Sequence, residues 1–420
     1  MATQYVYVAL WQSGDFEPAG IIAYDKEVGI SGFQYLNNYH GHPIDPINLN
    51  YQKTGTRMFK VDNAVNRQLL HRVFQDQLPG AWGMNMLMAE NPALKSMTAA
   101  ERLSWFGERT VGGLSCRVGG KIKGEHPNTG LHRLNEIKNE SVALFTKRIA
   151  SITDKKMWWG LTSHGGARPK TAYVDDQGDH WIAKFNVDFD GFNSARVEHA
   201  LSVMAKSAGI NAAETKVLTL PDGEDVFLTK RFDRTSALQG GQPVDIFRAH
   251  QVSLFAMMDE ARIVSPDQAD YTDMMRVVRA ASTKPTEDGQ RLFGQMLYNV
   301  AVNNTDDHAR NFVMVLKDQG YELSPMFDVT PNIYAYPHAS SICGQPNSNL
   351  DQASVLSLAG KMGINKDAAE AIRQDVTNAV MNWEEVAHVE GVSDADIALL
   401  KKRMYGAKYE DPDSKPIFKI

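Results

Sequence analysis

Asp306 and Asn311 stand five residues apart in NNTDDHARNF (Asn303 to Phe312), and Asp328 follows in LSPMFDVTPN (Leu323 to Asn332). These residue types at this spacing suit phosphoryl transfer. That reaction needs one protein group to orient the attacking hydroxyl and carboxylate or amide oxygens to hold Mg²⁺, and D-x-x-x-x-N is the spacing of a kinase catalytic loop. Between the two segments, Phe312 to Leu316 is an apolar β-type run. Lys317-Asp318-Gln319-Gly320 is a turn in which Gly320 can take positive φ, and Tyr321 to Ser324 is the return strand. A hairpin brings its open ends together, so Asn311 is expected beside Ser324, with Asp306 and Asp328 flanking the same end. Two carboxylates and an amide oxygen within reach of one hard cation make a candidate Mg²⁺ site. The competing reading is that Asp306 and Asp307 cap the helix ending near Val302 and that Asp328 caps a turn, both common uses of aspartate.

The other end of a nucleotide would need positioning upstream. SHGGARPK (Ser163 to Lys170) precedes a strand from Thr171 to Val174, a turn at Asp175 to Asp179, and the return strand HWIAKF, which carries Lys184. Glycines let backbone approach phosphates, and a strand lysine beneath them reaches the α- and β-phosphates. Alternation puts Ile182 and Lys184 on one face and Trp181, Ala183 and Phe185 on the other. The alternative is an ordinary hairpin with a snorkelling lysine. A helix is expected from the N-cap residues Asn193-Ser194, with Val197, Leu201 and Met204 as its apolar stripe. Glu198 lies beside that stripe, either pairing with Lys184 or solvated near the helix N-terminus. Val226-Phe227-Leu228 is the next strand and runs into TKRFDR (Thr229 to Arg234), where adenine would meet backbone amides between two lobes. Phe232 itself reads as core packing, and Arg231, Asp233 and Arg234 equally as a surface ion-pair cluster of little energetic weight.

The elements around these motifs change texture along the chain. Residues 1 to about 60 are β-rich, with strands expected over Tyr5 to Trp11, Ala19 to Tyr24 and Ile30 to Tyr35. Helical spacing begins after Asp62 and returns over Ser96 to Phe106; Val111 to Val118 reads as a strand, Gly119 to Gly130 as an exposed loop and Leu134 to Ile149 as a helix. From about Phe247 to the end the chain reads as mainly helical, apart from the hairpin. The 420 residues carry 43% hydrophobic and 22% charged side chains, an ordinary globular balance, and a net charge of -6 that argues against nucleic acid as the partner of the whole surface. Cys116 and Cys343 have no metal-ligand spacing or disulfide framework, and no stretch is long enough to cross a bilayer, so a cytoplasmic protein is expected.

The motifs GGARPK, WIAKF, LTKRFDR, NNTDDHARN and LSPMFDVTPN, with FQDQLPGAWG and TVGGLSCRV upstream, resemble the HipA family of serine/threonine kinases, the toxins of bacterial toxin–antitoxin modules. The resemblance implies an α+β, protein-kinase-like two-lobe fold with a β-rich N-terminal subdomain (1–120), a kinase N-lobe-like region (121–232) and a mainly helical C-terminal lobe (233–420). It implies ATP and Mg²⁺ as cofactors, Asp306 as catalytic base, and Asn311 and Asp328 as metal ligands. Nucleotide contacts are implied for Gly165, Gly166, Ala167, Arg168, Pro169, Lys170, Lys184, Lys230, Arg231, Phe232, His308, Ala309, Arg310, Asn311, Phe327 and Asp328. Ser163 matches the serine that members autophosphorylate as an off-switch; Thr162 neighbours it. The implied partners are a helix-turn-helix (HipB-like) antitoxin, operator DNA contacted mainly through that antitoxin, and a protein substrate, an aminoacyl-tRNA synthetase in better-known members, whose phosphorylation slows growth. Two positions depart: Ser253 stands where members usually carry an acidic residue, which puts the substrate-side pocket in doubt, and Lys230 where some carry Glu. A small-molecule kinase on the same fold, and a non-catalytic co-repressor holding a DNA-binding partner, are the alternatives.

Overall fold

The computed structural model describes residues 3–25, 27–55, 57–62, 69–80, 84, 88, 91–107, 111–118, 134, 135, 138, 169–187, 190–239, 242–260, 269–333, 337–344 and 352–404. The chain opens on β1 (Gln4–Gln12), where Val6, Val8 and Leu10 are buried while Tyr5 and Tyr7 stay 55% exposed, the period of two of a strand with one covered face. β2 (Asp15–Asp25), β3 (Ile30–Tyr35), the single turn α1 (Tyr51–Thr54) and β4 (Phe59–Asp62) follow. The helical segment expected after Asp62 is, in its described part, the short α2 (Arg72–Gln75). α3 (Ala99–Phe106) begins at a capping box, with Thr98 accepting from the Glu101 amide and Glu101 from the Thr98 amide. β5 (Leu114–Arg117) then closes an antiparallel sheet of order β4-β3-β2-β1-β5.

The second sheet comprises β6 (Lys170–Val174), β7 (His180–Phe185), β8 (Thr215–Thr219) and β9 (Asp225–Lys230) in the order β6-β7-β9-β8, with α4 (Ser194–Ser207) laid against β8 and β9. Trp181, Ala183, Phe185, Val226 and Leu228 fill a core beneath it with Leu94 and Phe106. β10 (Arg234–Gln239) and β11 (Gln242–Arg248) form a separate hairpin, and β12 (Gln251–Ser253) runs into α5 (Leu254–Glu260). α6 (Tyr271–Ala281) and α7 (Pro285–Ala301) lead to β13 (Val313–Lys317) and β14 (Gly320–Leu323). The chain ends in α8 (Gln352–Lys361), α9 (Lys366–Met381), α10 (Trp383–Val389) and α11 (Asp394–Met404).

The fold is α+β and protein-kinase-like, with two lobes and the β-rich N-terminal part. One continuous core joins Val8, Phe33 and Phe74 of the N-terminal part to Phe255, Tyr271, Phe293 and Trp383 of the helical lobe. The 312–324 hairpin forms as expected: Met314 pairs with Leu323, the Ser324 amide donates to the Val313 carbonyl at 2.8 Å, and Gly320 has φ +127°. From Phe247 onward the described chain is mainly helical, as expected, and the end of β11 and the three residues of β12 add strand outside the hairpin. β12 adds a third strand to the hairpin by pairing with β13, a contact across sixty residues that three residues of sequence do not announce. Leu134 to Ile149 and Gly119 to Gly130 lie outside the described residues except 134, 135 and 138. No helix among the described residues is long and apolar enough to cross a membrane.

Candidate active site

Strand alternation in β7 sends Trp181, Ala183 and Phe185 into the core and leaves Lys184 on the opposite face. There its ammonium meets Glu198 Oε1 at 2.6 Å and Asp328 Oδ1 at 2.5 Å. Burial opposes the charged ammonium, but the carboxylates of Asp328 and Glu198 outweigh it and hold the Lys184 pKa raised. Burial likewise pushes the Asp328 carboxyl up, and Lys184, Lys170 and His308 together pull it well below the usual carboxylate range. Lys184 and Asp328 are therefore both charged at neutral pH, with the Glu198 side chain on the same ammonium. Desolvating such a cluster is costly, so it marks a site more than a source of stability. Asp328 also adopts a left-handed backbone, φ +59°, which costs on the order of 1–3 kcal/mol in a non-glycine residue and clusters at functional positions.

Three elements deliver the cluster: β7 brings Lys184, α4 brings Glu198, and the segment after β14 brings Asp328. The expected helix start is present, with Asn193 accepting from the Arg196 amide at 3.2 Å and Val197, Leu201 and Met204 fully buried.

The loop after α7 is held from within. The Asn304 amides bond Asn299, and Asn303 and Asn332 exchange hydrogen bonds. Asp307, fully buried, accepts from the Tyr271 hydroxyl at 2.8 Å, His338 Nδ1 at 2.9 Å and the Ser340 amide at 3.3 Å. Asp306 points the other way, its side chain 80% exposed, with Oδ1 3.7 Å from His308 Nε2. Asn311 donates its side-chain amide to the Asp306 carbonyl at 2.8 Å, which leaves Oδ1 as the atom it offers outward. The helix-capping alternative for this pair does not hold: Val302 is the C-cap of α7, and Asp307 anchors the loop instead. His308 acts electrostatically on Asp328, so the loop and the Lys184 cluster share one site. Asn311 Oδ1 and the Asp328 carboxylate are hard oxygen donors, the chemistry Mg²⁺ takes.

At the candidate hinge, the Lys230 side chain is drawn to Asp179 (2.6 Å) and its amide to the Glu214 carbonyl, while the Arg231 amide bonds His180. Arg231 is no surface residue. It and Asp233 are buried in a bidentate pair at 2.8 and 2.6 Å, and Asp233 also accepts from the Gly112 amide of the N-terminal part. The surface-cluster reading of Arg231, Asp233 and Arg234 fails because all three side chains are buried. Phe232 packs on Phe327 (ring centroids 5.7 Å) over Ala249, Val313 and Val315, so an apolar floor joins the hinge to the residue before Asp328. Of the candidate nucleotide contacts, Lys170 lies buried near Asp328, Pro169 accepts from the Phe185 amide and Ala309 is buried. Arg310 is turned toward α5, its guanidinium carbon 3.4 Å from the Phe255 ring centroid. Ser163, Gly165, Gly166, Ala167 and Arg168 lie outside the described residues.

Two acidic side chains have roles that the sequence does not announce: Asp307, expected only as a helix cap, and Asp76, for which no role was expected. Asp307 differs from Asp306 in sequence only by its count to Asn311. Asp76, on the residue after α2, accepts from the Ser253 hydroxyl at 2.6 Å and amide at 3.1 Å. A carboxylate thus reaches the position where Ser253 departs from the family pattern, delivered from the N-terminal part of the chain.

Residues 162–383 match the family profile described as HipA-like C-terminal domain, and residues 8–117 that of the HipA N-terminal domain. "Putative kinase Y4mE" of Sinorhizobium fredii (strain NBRC 101917 / NGR234) is 25% identical over 140 residues, 33% of this chain and 32% of that protein, so the match spans about a third of the relative's length. The HipA chain solved with HipB and operator DNA from Shewanella oneidensis MR-1 shares the fold, with a TM-score of 0.72 at 15% identity, over 96% of this chain and 95% of that one. With a profile spanning more than half of its length, the chain belongs to the HipA family.

Proposed function

We propose that this chain is a Mg²⁺- and ATP-dependent serine/threonine protein kinase. The observation that carries the reading is Lys184 held at once by Glu198 and Asp328, together with the exposed carboxylate of Asp306 on the loop whose His308 acts on Asp328. Lys184 binds the α- and β-phosphates, and Glu198 keeps its ammonium aimed at them. Asn311 Oδ1 and Asp328 would hold Mg²⁺, which when bound neutralises charge on the transferring phosphates. Asp306 accepts the proton of the acceptor hydroxyl at its exposed carboxylate, and its exposure lets a protein side chain reach it. Adenine lies over Phe232 and Phe327 at the hinge of Lys230 to Phe232. Gly165, Gly166, Ala167 and Lys170 would contact the nucleotide, and phosphorylation of Ser163, two residues before Gly165 in the sequence, would add about two negative charges and switch the kinase off.

The membership of the family, and the capture of the Shewanella HipA with HipB and operator DNA, support a HipB-like antitoxin as partner and a toxin role for this chain. A bacterial extract incubated with the chain and γ-labelled ATP tests the assignment. Labelled serine or threonine in proteins, lost in Asp306→Asn, is expected. Label recovered only in small molecules, or undiminished in the variant, contradicts it.

A further inference from the structure

We infer that Arg196 is a positioning residue, bracing α4 against the last helices so that Glu198 stays on Lys184; Glu390, Gly391 and Asp396 form the other half of the brace. The expected rate effects rest on the kinase reading above, whereas the structural readout below does not.

The geometry is that of a rod held from behind. At 100° per residue, Arg196 and Glu198 point about 200° apart around α4, while Arg196 and His199 share a face. The front presents Glu198 to Lys184 at 2.6 Å. Behind, the Arg196 guanidinium bonds both carboxylate oxygens of Asp225 on β9 at 2.5 and 3.1 Å and the Glu390 carbonyl at 3.3 Å. His199 Nε2 lies 3.0 Å from Glu390 Oε2, and its Nδ1 2.8 Å from the Thr215 hydroxyl. The Asn193 amide, at the helix cap, donates to Asp396 on α11 at 3.2 Å. One side chain therefore ties the small-lobe sheet, the helix that carries Glu198 and a segment almost two hundred residues further along the chain. Asp225 is buried, and although burial alone would raise its pKa, hydrogen bonds from Arg196, Thr219 and Asn193 hold it lowered, so the anchor stays ionised. Gly391 makes the passage: its φ is +74°, and a Cβ there would collide with an Arg196 guanidinium nitrogen. A helix transmits a displacement of its back to its front, and a shift of about 1 Å in a catalytic group is enough to cost up to ~100-fold in rate.

The test uses the full chain with Arg196→Met and Gly391→Ala, the second displacing the guanidinium without removing it. Two readouts are taken: steady-state consumption of Mg-ATP, and acylation of the Lys184 amine by an N-hydroxysuccinimide ester, quantified by peptide mass spectrometry. In each variant kcat is expected to fall by about 10- to 100-fold with KM for ATP within about threefold, and Arg196→Lys to recover part of the loss. In a Glu198→Gln background the same substitutions should cost less than about twofold, because the contact they protect is already gone. Lys184 acylation should rise in Arg196→Met and Gly391→Ala toward its level in Glu198→Gln. Equal losses in both backgrounds, or Lys184 reactivity unchanged in both variants, overturn the brace. If the wild type consumes no ATP, the kinase reading fails, and Lys184 reactivity alone decides the brace. If Arg196→Met does not fold, Gly391→Ala and Asp396→Ala decide it by the same two readouts.

Discussion

Replacing Asp307 by alanine removes the acceptor for three buried donors at once: the Tyr271 hydroxyl, His338 Nδ1 and the Ser340 amide. Each donor left without a partner costs roughly 1–3 kcal/mol. Tyr271 keeps a second contact, since its oxygen still accepts from Asn299, and the segment after Pro337 relaxes in part, so the sum falls toward the low end, about 3–5 kcal/mol. At roughly 2–4 °C per kcal/mol for a large cooperative unit, the melting temperature should drop by about 10 °C. Urea unfolding followed by tryptophan fluorescence gives the free energy, and calorimetry gives the midpoint. The same substitution loosens the backbone that aims Asp306 and Asn311, so phosphate transfer at a temperature where the variant is folded should fall as well. A loss below about 1 kcal/mol would refute the buried-anchor account. A fully destabilised variant with wild-type transfer would show that Asp307 does not set the loop.

Acid should weaken the fold through His250, which burial holds down at about 4 while its ring donates to the Ile44 carbonyl. Its folded pKa lies below the ordinary 6.5, so its contribution is complete above pH 6.5 and is lost as pH falls from 6.5 toward 4, about 3 kcal/mol in all. His250→Gln should remove that part of the acid slope in urea unfolding measured across this range, and an unchanged slope would rule the residue out. Asp76→Ala strips the Ser253 hydroxyl and amide of their acceptor and should cost about 2 kcal/mol in the same assay. It should also lower ATP turnover, because Ser253 opens α5 and pairs with Val313, two residues beyond Asn311; turnover at the wild-type level would separate this contact from the loop.

The parts of the site that sequence made legible are the local ones. Alternation in WIAKF put Lys184 on the face opposite Trp181 and Phe185, and Asn193 as N-cap set the phase of α4 that brings Glu198 to it. The turn at Gly320 folds β14 back along β13 as the sequence led one to expect, from Met314 paired with Leu323 to Lys317 paired with Gly320. What stayed hidden depends on contacts far apart in the chain. Nothing in the run Asp306-Asp307 says which carboxylate is buried; Tyr271 and His338 decide it, each more than thirty residues away. Arg231 and Asp233 looked like surface charges because a partner of Asp233, the Gly112 amide, is 121 residues upstream. β10 and β11 did carry a signal, the Gly240-Gly241 pair between Thr235 and Val244, and a helical expectation for the segment that follows passed over it.

We propose that Lys184, Glu198, Asp328 and Asn311 form the binding end of a Mg-nucleotide site whose chemistry falls to Asp306. Calorimetric titration of ATP in the presence and absence of Mg²⁺ into wild type, Asp328→Asn and Asp306→Asn tests it most directly. One Mg²⁺-dependent site is expected in the wild type, with strongly weakened binding in Asp328→Asn and near wild-type binding in Asp306→Asn, which should bind nucleotide without transferring its phosphate. Mg-ATP bound equally well by wild type and Asp328→Asn, or by neither, would contradict it.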